Sequence, residues 1–491
     1  MLRPRLDPAR EIPLYRQLGD YLRGAILAGQ IAAGGRLPTM RELSEALGLH
    51  RSTVAAAYEL LEHEGLVRTQ VGKGSFVVKS FAGGGGRLDW DQLLGPLVGE
   101  TPPAGPSPRD VISFASSRPA EDLFPMEELR ATVDEVIRGR DVTSILQIGP
   151  PAGYPPLRLY LIEEARAQGL LREDEDLLIT SGCQQALDLL ERVLIRGGEH
   201  SVALEDPVYP GVRNLFLRSG ARVLGVPVGE QGVEVEALAR ALSAARPRLL
   251  VLTPNFQNPT GTTIPIEARR AILKQVRKIG TVLVENDIYG ALRYRGTPVK
   301  PFQQLDASGH VVRLRSFSKM AFPGLRVGWV SGPAPLIARM AEAKQLADLH
   351  SDQLSQAVLL RFVESGRLDE HLQRMLRAGR ERLEAVEQAV AKYLPQGTAV
   401  TRTDGGMNLW VRLPEPLDAA GILPKAQRRG VSYLPGKYFW VDRREPGALR
   451  LSFAGLTVDE IERGVRILGE VCREEMRQPR ADRVQLEPAV V

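Results

Sequence analysis

The chain has 491 residues, of which 43% are hydrophobic and 25% charged, with a formal net charge of +5. At about 100 to 200 residues per domain it holds two to four ordinary folded domains, which excludes wholesale disorder, a collagen-like fibre and a single small module. The charge excess is too mild to argue for nucleic acid, yet residues 1–80 carry 11 Lys/Arg against 8 Asp/Glu, so a basic N-terminal module is permitted.

From Pro13 to Gln30, the apolar residues Leu14, Leu18, Leu22, Ala25 and Ile26 form a helical stripe that ends near Gly29. Thr39 followed by Glu42 predicts a capping box for a short second helix, which turns Leu43 and Leu47 inward and stops at Gly48. After the turn Gly48-Leu49-His50, a third helix from Arg51 to about Glu64 buries Val54, Tyr58 and Leu61. Two short apolar strands, 66–68 and 75–78, flank Val71-Gly72-Lys73-Gly74 and predict a hairpin with a basic, glycine-bearing tip. The sum is an α/β winged helix-turn-helix. Arg51, Ser52 and Thr53 open the third helix, where a recognition helix meets base edges and phosphates, and Arg pairs bidentately with guanine. Arg41 on the second helix, with Lys73 and Gly74 on the wing, flanks the groove as sequence-neutral phosphate contacts. Singly, each Arg reads more often as a surface charge; the capped short helix, tight turn and hairpin together favour DNA.

From Phe81 to Asp110 the composition shifts to Gly83 through Gly86, Pro96, Pro102, Pro103, Pro106 and Pro108, a linker with one apolar patch around Leu88, Leu93, Leu94, Leu97 and Val98. The division is 10–80 for the winged helix, 81–110 for the linker, 111–478 for a large domain and 479–491 for a tail. In the large domain, apolar runs at 177–180, 201–204, 249–252, 281–284 and 311–314 alternate with helical patterns, predicting a mostly parallel sheet covered by helices, with a smaller C-terminal α+β subdomain.

Polar groups follow each run, where open α/β sheets hold ligands. Gly182-Cys183-Gln184 opens a helix suited to a phosphate; Tyr209 offers a stacking face; Asn258 sits in the turn Asn258-Pro259-Thr260-Gly261. Asp287 ends a buried strand, and a buried carboxylate wants a cationic partner. Ser316, Ser318 and Lys319 follow the last run, and Lys319 is a candidate Schiff-base nitrogen. Only two cysteines occur, Cys183 and Cys472, so neither a disulfide framework nor a thiolate metal cluster is expected. No signal peptide is visible and no apolar run approaches the roughly 18 residues that span a bilayer, so the expectation is a cytoplasmic chain without membrane contact or metal.

Residues 12–78 resemble the GntR-type winged helix, through Leu37-Pro38-Thr39-Met40-Arg41-Glu42-Leu43, Leu47-Gly48-Leu49-His50-Arg51-Ser52-Thr53-Val54 and Gly72-Lys73-Gly74-Ser75-Phe76-Val77, with His50 where that family usually has Ser. Residues 112–473 resemble the fold-type I aminotransferases through Tyr209, Asn258, Asp287, Tyr289, Lys319, Arg326 and Leu449-Arg450-Leu451-Ser452-Phe453. That resemblance implies pyridoxal 5′-phosphate. Lys319 would carry it, Asp287 would pair with its ring nitrogen, and Asn258 with Tyr289 would bind its ring oxygen. Tyr209 would stack, while Ser316, Ser318, Arg326, Gly182, Cys183 and Gln184 would hold the phosphate, and Arg450 would clamp the carboxylate of an effector. Cys183 stands where Ser or Thr is commoner, and Ile148 where relatives usually have Tyr. The whole layout resembles the MocR/GabR-type transcriptional regulators. It implies double-stranded promoter DNA as partner, a head-to-tail, domain-swapped homodimer, and an amino-acid-like effector or the cofactor itself as signal. Two rivals are a working aminotransferase with an accessory DNA-binding domain and a cofactor-free dimeriser.

Overall fold

The computed structural model describes residues 4, 6–7, 12–27, 30–32, 34–70, 74–78, 90, 94, 99–102 and 110–477. Lys73, most of the linker including Leu88, Leu93, Leu97 and Val98, and the tail 479–491 therefore lie outside the described residues. Contacts divide the chain into two units, Met1–Leu97 and Val98–Val491.

In the first unit, α1 (Leu14–Leu27), α2 (Met40–Leu47) and α3 (Arg51–His63) pack Leu18, Leu22, Leu43, Val54, Ala57 and Leu61 into one core. Gly19 lets α1 approach α3, since a Cβ there would lie 2.9 Å from Leu60 Cδ2. The Tyr58 hydroxyl donates to the Pro38 carbonyl (2.7 Å) and pins the entry of α2 onto α3. The capping box is complete: the Thr39 side chain accepts from the Glu42 N–H, and the Glu42 carboxylate accepts from the Thr39 N–H at 2.8 Å. Strands β1 (Val67–Gln70) and β2 (Gly74–Val77) pair antiparallel, and the stretch before α2 joins them, with the Leu37 N–H donating to the Ser75 carbonyl (2.8 Å). The wing is thus a two-stranded sheet with Arg36 bridged to Phe76 along its edge.

The second unit is built on an eight-stranded sheet. Its strands are β4 (Glu175–Thr180), β5 (Ser201–Asp206), β6 (Arg222–Gly229), β7 (Gly232–Val233), β8 (Leu249–Leu252), β9 (Val282–Asn286), β10 (Val311–Ser316) and β11 (Gly328–Pro333), following the short β3 (Ile112–Ser113). The order is β4-β11-β10-β9-β8-β5-β6-β7. The five strands from β10 to β6 are parallel, while β11 runs antiparallel to both its neighbours and β7 to β6. Buried on both faces, these strands read as the continuous apolar runs of a parallel sheet. One face packs Leu178, Val284, Val312 and Leu314 against the helix Cys183–Leu194; the other packs Leu250, Leu283 and Val311 against Ile272 and Phe302.

The C-terminal subdomain is a four-stranded antiparallel sheet, β12 (Ala399–Val400), β13 (Asn408–Arg412), β15 (Leu434–Pro435) and β16 (Ala448–Ser452), covered by the helix Val458–Arg477. It is tied back to the large sheet by Asp206 at the end of β5, whose carboxylate accepts the N–H groups of Val441 (2.9 Å), Asp442 (3.0 Å) and Arg443 (3.0 Å). β14 (Val431–Ser432) pairs with β3, so the chain entering the second unit is woven into its last subdomain.

The winged-helix core is small, so its caps carry weight. Thr39→Ala is expected to lower the stability of the first unit by about 1 kcal/mol, measurable as a lower denaturation midpoint of that unit's transition in the full chain, with the second unit's transition unmoved.

Candidate functional sites: a nucleic-acid interface and a cofactor cleft

In the first unit, Arg51 and Ser52 are exposed and Thr53 half-buried at the start of α3, while Val54, Ala57, Tyr58 and Leu61 turn inward. The helix is capped by His50, whose ring Nδ1 accepts the Ser52 N–H at 3.4 Å and lies 2.7 Å from the Ser52 hydroxyl. An imidazole thus does the work of the usual hydroxyl. Arg41 is exposed on α2 and paired with Glu45 at 3.0 Å, a contact that a phosphate must outcompete. Gly74 has φ +108°, and a Cβ there would come within 2.9 Å of Arg36 Nε. Arg36 therefore lies against the wing strand, a basic residue that the sequence reading passed over because it sits in an irregular stretch before the cap.

In the second unit the expected cofactor residues converge at the C-terminal ends of β4, β8, β9 and β10. Lys319, half-buried, donates from Nζ to the Ser117 carbonyl (2.6 Å) and lies 5.8 Å from the Tyr289 ring centroid. Asn258 Nδ2 donates to the Tyr289 hydroxyl at 3.4 Å, so amide and phenol face one point. The Ser318 N–H donates to the Ser316 hydroxyl (3.0 Å), Arg326 Nη1 to the Ser318 hydroxyl (3.3 Å), and Arg326 Nη2 to the Ser181 carbonyl (3.3 Å). Gly182, with φ +81°, begins the helix Cys183–Leu194; a Cβ there would strike Arg326 Nη2, so only glycine lets the guanidinium lie across the helix start. The leading N–H groups of that helix have no intrahelical acceptors, and with Ser318 and Arg326 they form an anion cup. Tyr209 packs on Gly211, where a Cβ would fall 2.5 Å from its ring, beside Gln184, whose Nε2 donates to the Gly211 carbonyl (3.3 Å).

Arg450 on β16 is buried, and burial pulls its guanidinium down to about 10. Nη1 donates to Asn258 Oδ1 (3.0 Å) and Nη2 to the Ala115 carbonyl, while Nε has no partner. The donor set fits pyridoxal 5′-phosphate: an amine, two donors to a ring oxygen, an anion cup that a Cβ would fill and a cation for a carboxylate.

Two side chains find partners away from the cup. The Cys183 thiol donates to the Arg315 carbonyl (3.3 Å) and burial pushes it up to about 12, so what this residue offers a phosphate is its backbone N–H. Asp287 is the second of them. Its Oδ1 accepts from Asn255 Nδ2 (2.8 Å) and its Oδ2 from Arg313 Nη2 (2.6 Å), and it lines a separate 280 Å³ cavity with Asn255, Arg293, Arg313 and Arg315. Burial pulls this carboxyl upward, but Arg313 and Arg315 outweigh it and hold it below the usual range. Both of its oxygens are thus already engaged, by Asn255 and by Arg313. Ile148 is 76% exposed.

Residues 109–468 match the family model for aminotransferase class I and II, and residues 14–77 match that for bacterial regulatory proteins of the gntR family. The chain is 30% identical over 476 residues to the probable rhizopine catabolism regulatory protein MocR of Rhizobium meliloti, covering 94% of each. It is 38% identical over 367 residues to the 2-aminoadipate transaminase of Thermus thermophilus, covering 74% of this chain and 90% of that one. Among solved structures, the kynurenine aminotransferase of Pyrococcus horikoshii, in complex with PMP, is similar at 33% identity and a TM-score of 0.72, over 75% of this chain and 92% of that one. Among the described residues no helix is long and apolar enough to cross a membrane, and no His, Cys, Asp and Glu cluster could hold a metal ion.

The Asn258 turn is keyed by a buried acid. Gln257 donates to the Pro207 carbonyl (2.7 Å) and the Glu205 carboxyl (3.3 Å) and accepts from the Thr260 N–H (2.9 Å) and hydroxyl (2.7 Å). Burial pushes Glu205 up to about 8. An ordinary glutamate titrates at about 4.3, so the folded chain keeps a proton that the unfolded chain has released across that window. Its stabilising effect is complete below about 4.3 and lost as the pH rises through about 8. Glu205→Gln should flatten the fall in stability between these values, as read from denaturation midpoints in a pH series.

Proposed function

The chain belongs to the MocR-type family, in which a gntR-family DNA-binding domain precedes an aminotransferase class I and II domain, and on that premise we propose that what occupies the Lys319 cleft sets its hold on promoter DNA. The observation that carries this reading is the presence, in one chain, of a recognition helix with an open start and a cleft with every group needed to retain an amine-reactive ligand.

Pyridoxal 5′-phosphate is the cofactor of the aminotransferase domain; when bound it supplies an aldehyde that condenses with primary amines. This chain's residues then divide the work. The N–H groups of Cys183 and Gln184, the Ser318 hydroxyl and Arg326 bind the phosphate. Tyr289 and Asn258 orient the ring oxygen, and Tyr209 covers one face. Lys319 supplies the amine, which it must release from Ser117. Arg450 binds the carboxylate of an amino-acid-like effector, which takes over from Asn258 and the Ala115 carbonyl and meets the unpartnered Nε. An effector that prefers one arrangement of the second unit shifts the population of DNA-binding states. The head-to-tail homodimer that the regulator layout implies would have apolar side chains to cover, Leu146 (65%), Ile148 (76%) and Leu346 (90%) being exposed on the single chain, and its place of action is the cytoplasm. A working aminotransferase is the second reading, favoured by the 38% identity to a transaminase.

The test is binding of the full chain to its own upstream promoter and to a scrambled duplex at fixed salt, with and without pyridoxal 5′-phosphate. Promoter-specific affinity that changes with the cofactor is expected. Lys319→Ala should lose that change and keep its cofactor-free affinity, whereas Arg51→Ala should cost about 1–3 kcal/mol at the promoter and relax its specificity. Equal binding to both duplexes in every condition would sink the regulator reading.

A further inference from the structure

The cofactor's ring geometry and the strand order together say which side chain meets its ring nitrogen. In pyridoxal 5′-phosphate the ring oxygen and the phosphate arm flank the aldehyde carbon, and the nitrogen lies across the ring from that carbon. The ring-oxygen donor Asn258 follows β8, and the phosphate groups Ser316 and Ser318 close β10. Between these two strands lies β9. The nitrogen, directed away from Lys319, therefore lies over the end of β9.

Side chains alternate along β9. Val284 belongs to the face that packs on the helix Cys183–Leu194, the helix whose start forms the anion cup; Leu283 belongs to the opposite face. Glu285 follows Leu283 and lies 3.8 Å from Arg313, on the side where Asp287 is also paired. Asn286 follows Val284 and is in register with Leu314, so it shares the cofactor face. It is 7% exposed, and its Oδ1 is buried without a partner.

We propose that Asn286, an amide, takes the ring-nitrogen position, and that this chain therefore holds the cofactor with its ring nitrogen unprotonated. The inference rests on the reading of the Lys319 cleft as a pyridoxal 5′-phosphate site. An amide turned to present its NH2 donates to a neutral nitrogen, and in either orientation it supplies no negative charge to keep a proton on that nitrogen in a desolvated site. The charged groups nearby reinforce this. Lys319, Arg326 and Arg450 face the cleft beside the phenols Tyr209 and Tyr289; behind the sheet Asp287 is neutralised by Arg313, and Glu285 and Arg315 lie on that same far side. A neutral ring is a poor electron sink, so an amino acid captured in the cleft keeps its Cα–H. The chain holds its ligand and does not turn it over, which is what a sensor requires.

The full chain loaded with pyridoxal 5′-phosphate carrying 15N in the ring tests this by solid-state NMR at neutral pH, with the visible absorbance of the lysine-bound cofactor recorded on the same sample. The wild type should show the shift of an unprotonated pyridine. Asn286→Asp should move it to the protonated range and speed conversion of the cofactor to its amine form by added amino acids, while Asp287→Asn should leave the ring nitrogen unprotonated. A protonated nitrogen in the wild type overturns the proposal even if no variant folds, as does a shift that answers to position 287 and not 286. Absence of the visible band, abolished in any case by Lys319→Ala, would instead remove the cofactor reading and this proposal with it.

Discussion

The buried ion pair between Asp287 and Arg313, 2.6 Å apart, governs how the central strands end. Both side chains are almost fully inaccessible, and Asn255 supplies the second bond to the carboxylate, with Arg269 in turn donating to Asn255 Oδ1 at 2.8 Å. Breaking such a pair by removing one partner costs about 3–5 kcal/mol, because the other is stranded in a low dielectric. The pair thus locks the phase of β9 against β10. With Asp287 fixed behind the sheet, Asn286 has only the front face, and Tyr289, one short turn on, reaches Asn258. The cofactor cleft is the reverse side of a structural ion pair.

Much of this was legible from the residues. The capping box at Thr39, the αL glycine at 48, the inward stripe of α3 and the apolar parallel strands all follow from local rules, because in each case backbone geometry and burial demand a narrow choice of side chain. The Asp287 reading divides instructively. Burial alone predicted a cationic partner for that carboxylate, and Arg313 is that partner. The family resemblance implied a ring contact for it, whereas its oxygens are engaged by Arg313 and Asn255. Two adjacent polar residues at a strand end differ by one step in a period of two, so a role assigned to the wrong neighbour lands on the wrong face of the sheet. Nothing in Glu285-Asn286-Asp287 says where the strand's last regular residue falls; only the pairing of Asn286 with Leu314 does.

Other features needed the third dimension. Arg36 lies far in sequence from the wing strand it covers, and Glu205 lies 52 residues from the Gln257 that it orients. Both are contacts across separate chain segments, and no local pattern encodes them. Cys183 shows the same limit: its place in the turn follows from the residues around it, while the bond of its thiol to the Arg315 carbonyl joins distant parts of the chain.

The two cysteines of the chain share a fate that bears on its redox chemistry. Cys183 is bonded to a main-chain carbonyl and Cys472 is sealed in the C-terminal core, and burial holds both thiols at about 12. At cellular pH almost no thiolate exists at either position, and thiolate is the form that peroxides and disulfides attack. Neither thiol is therefore poised for oxidation, and a cysteine-based redox switch has no purchase at these two positions.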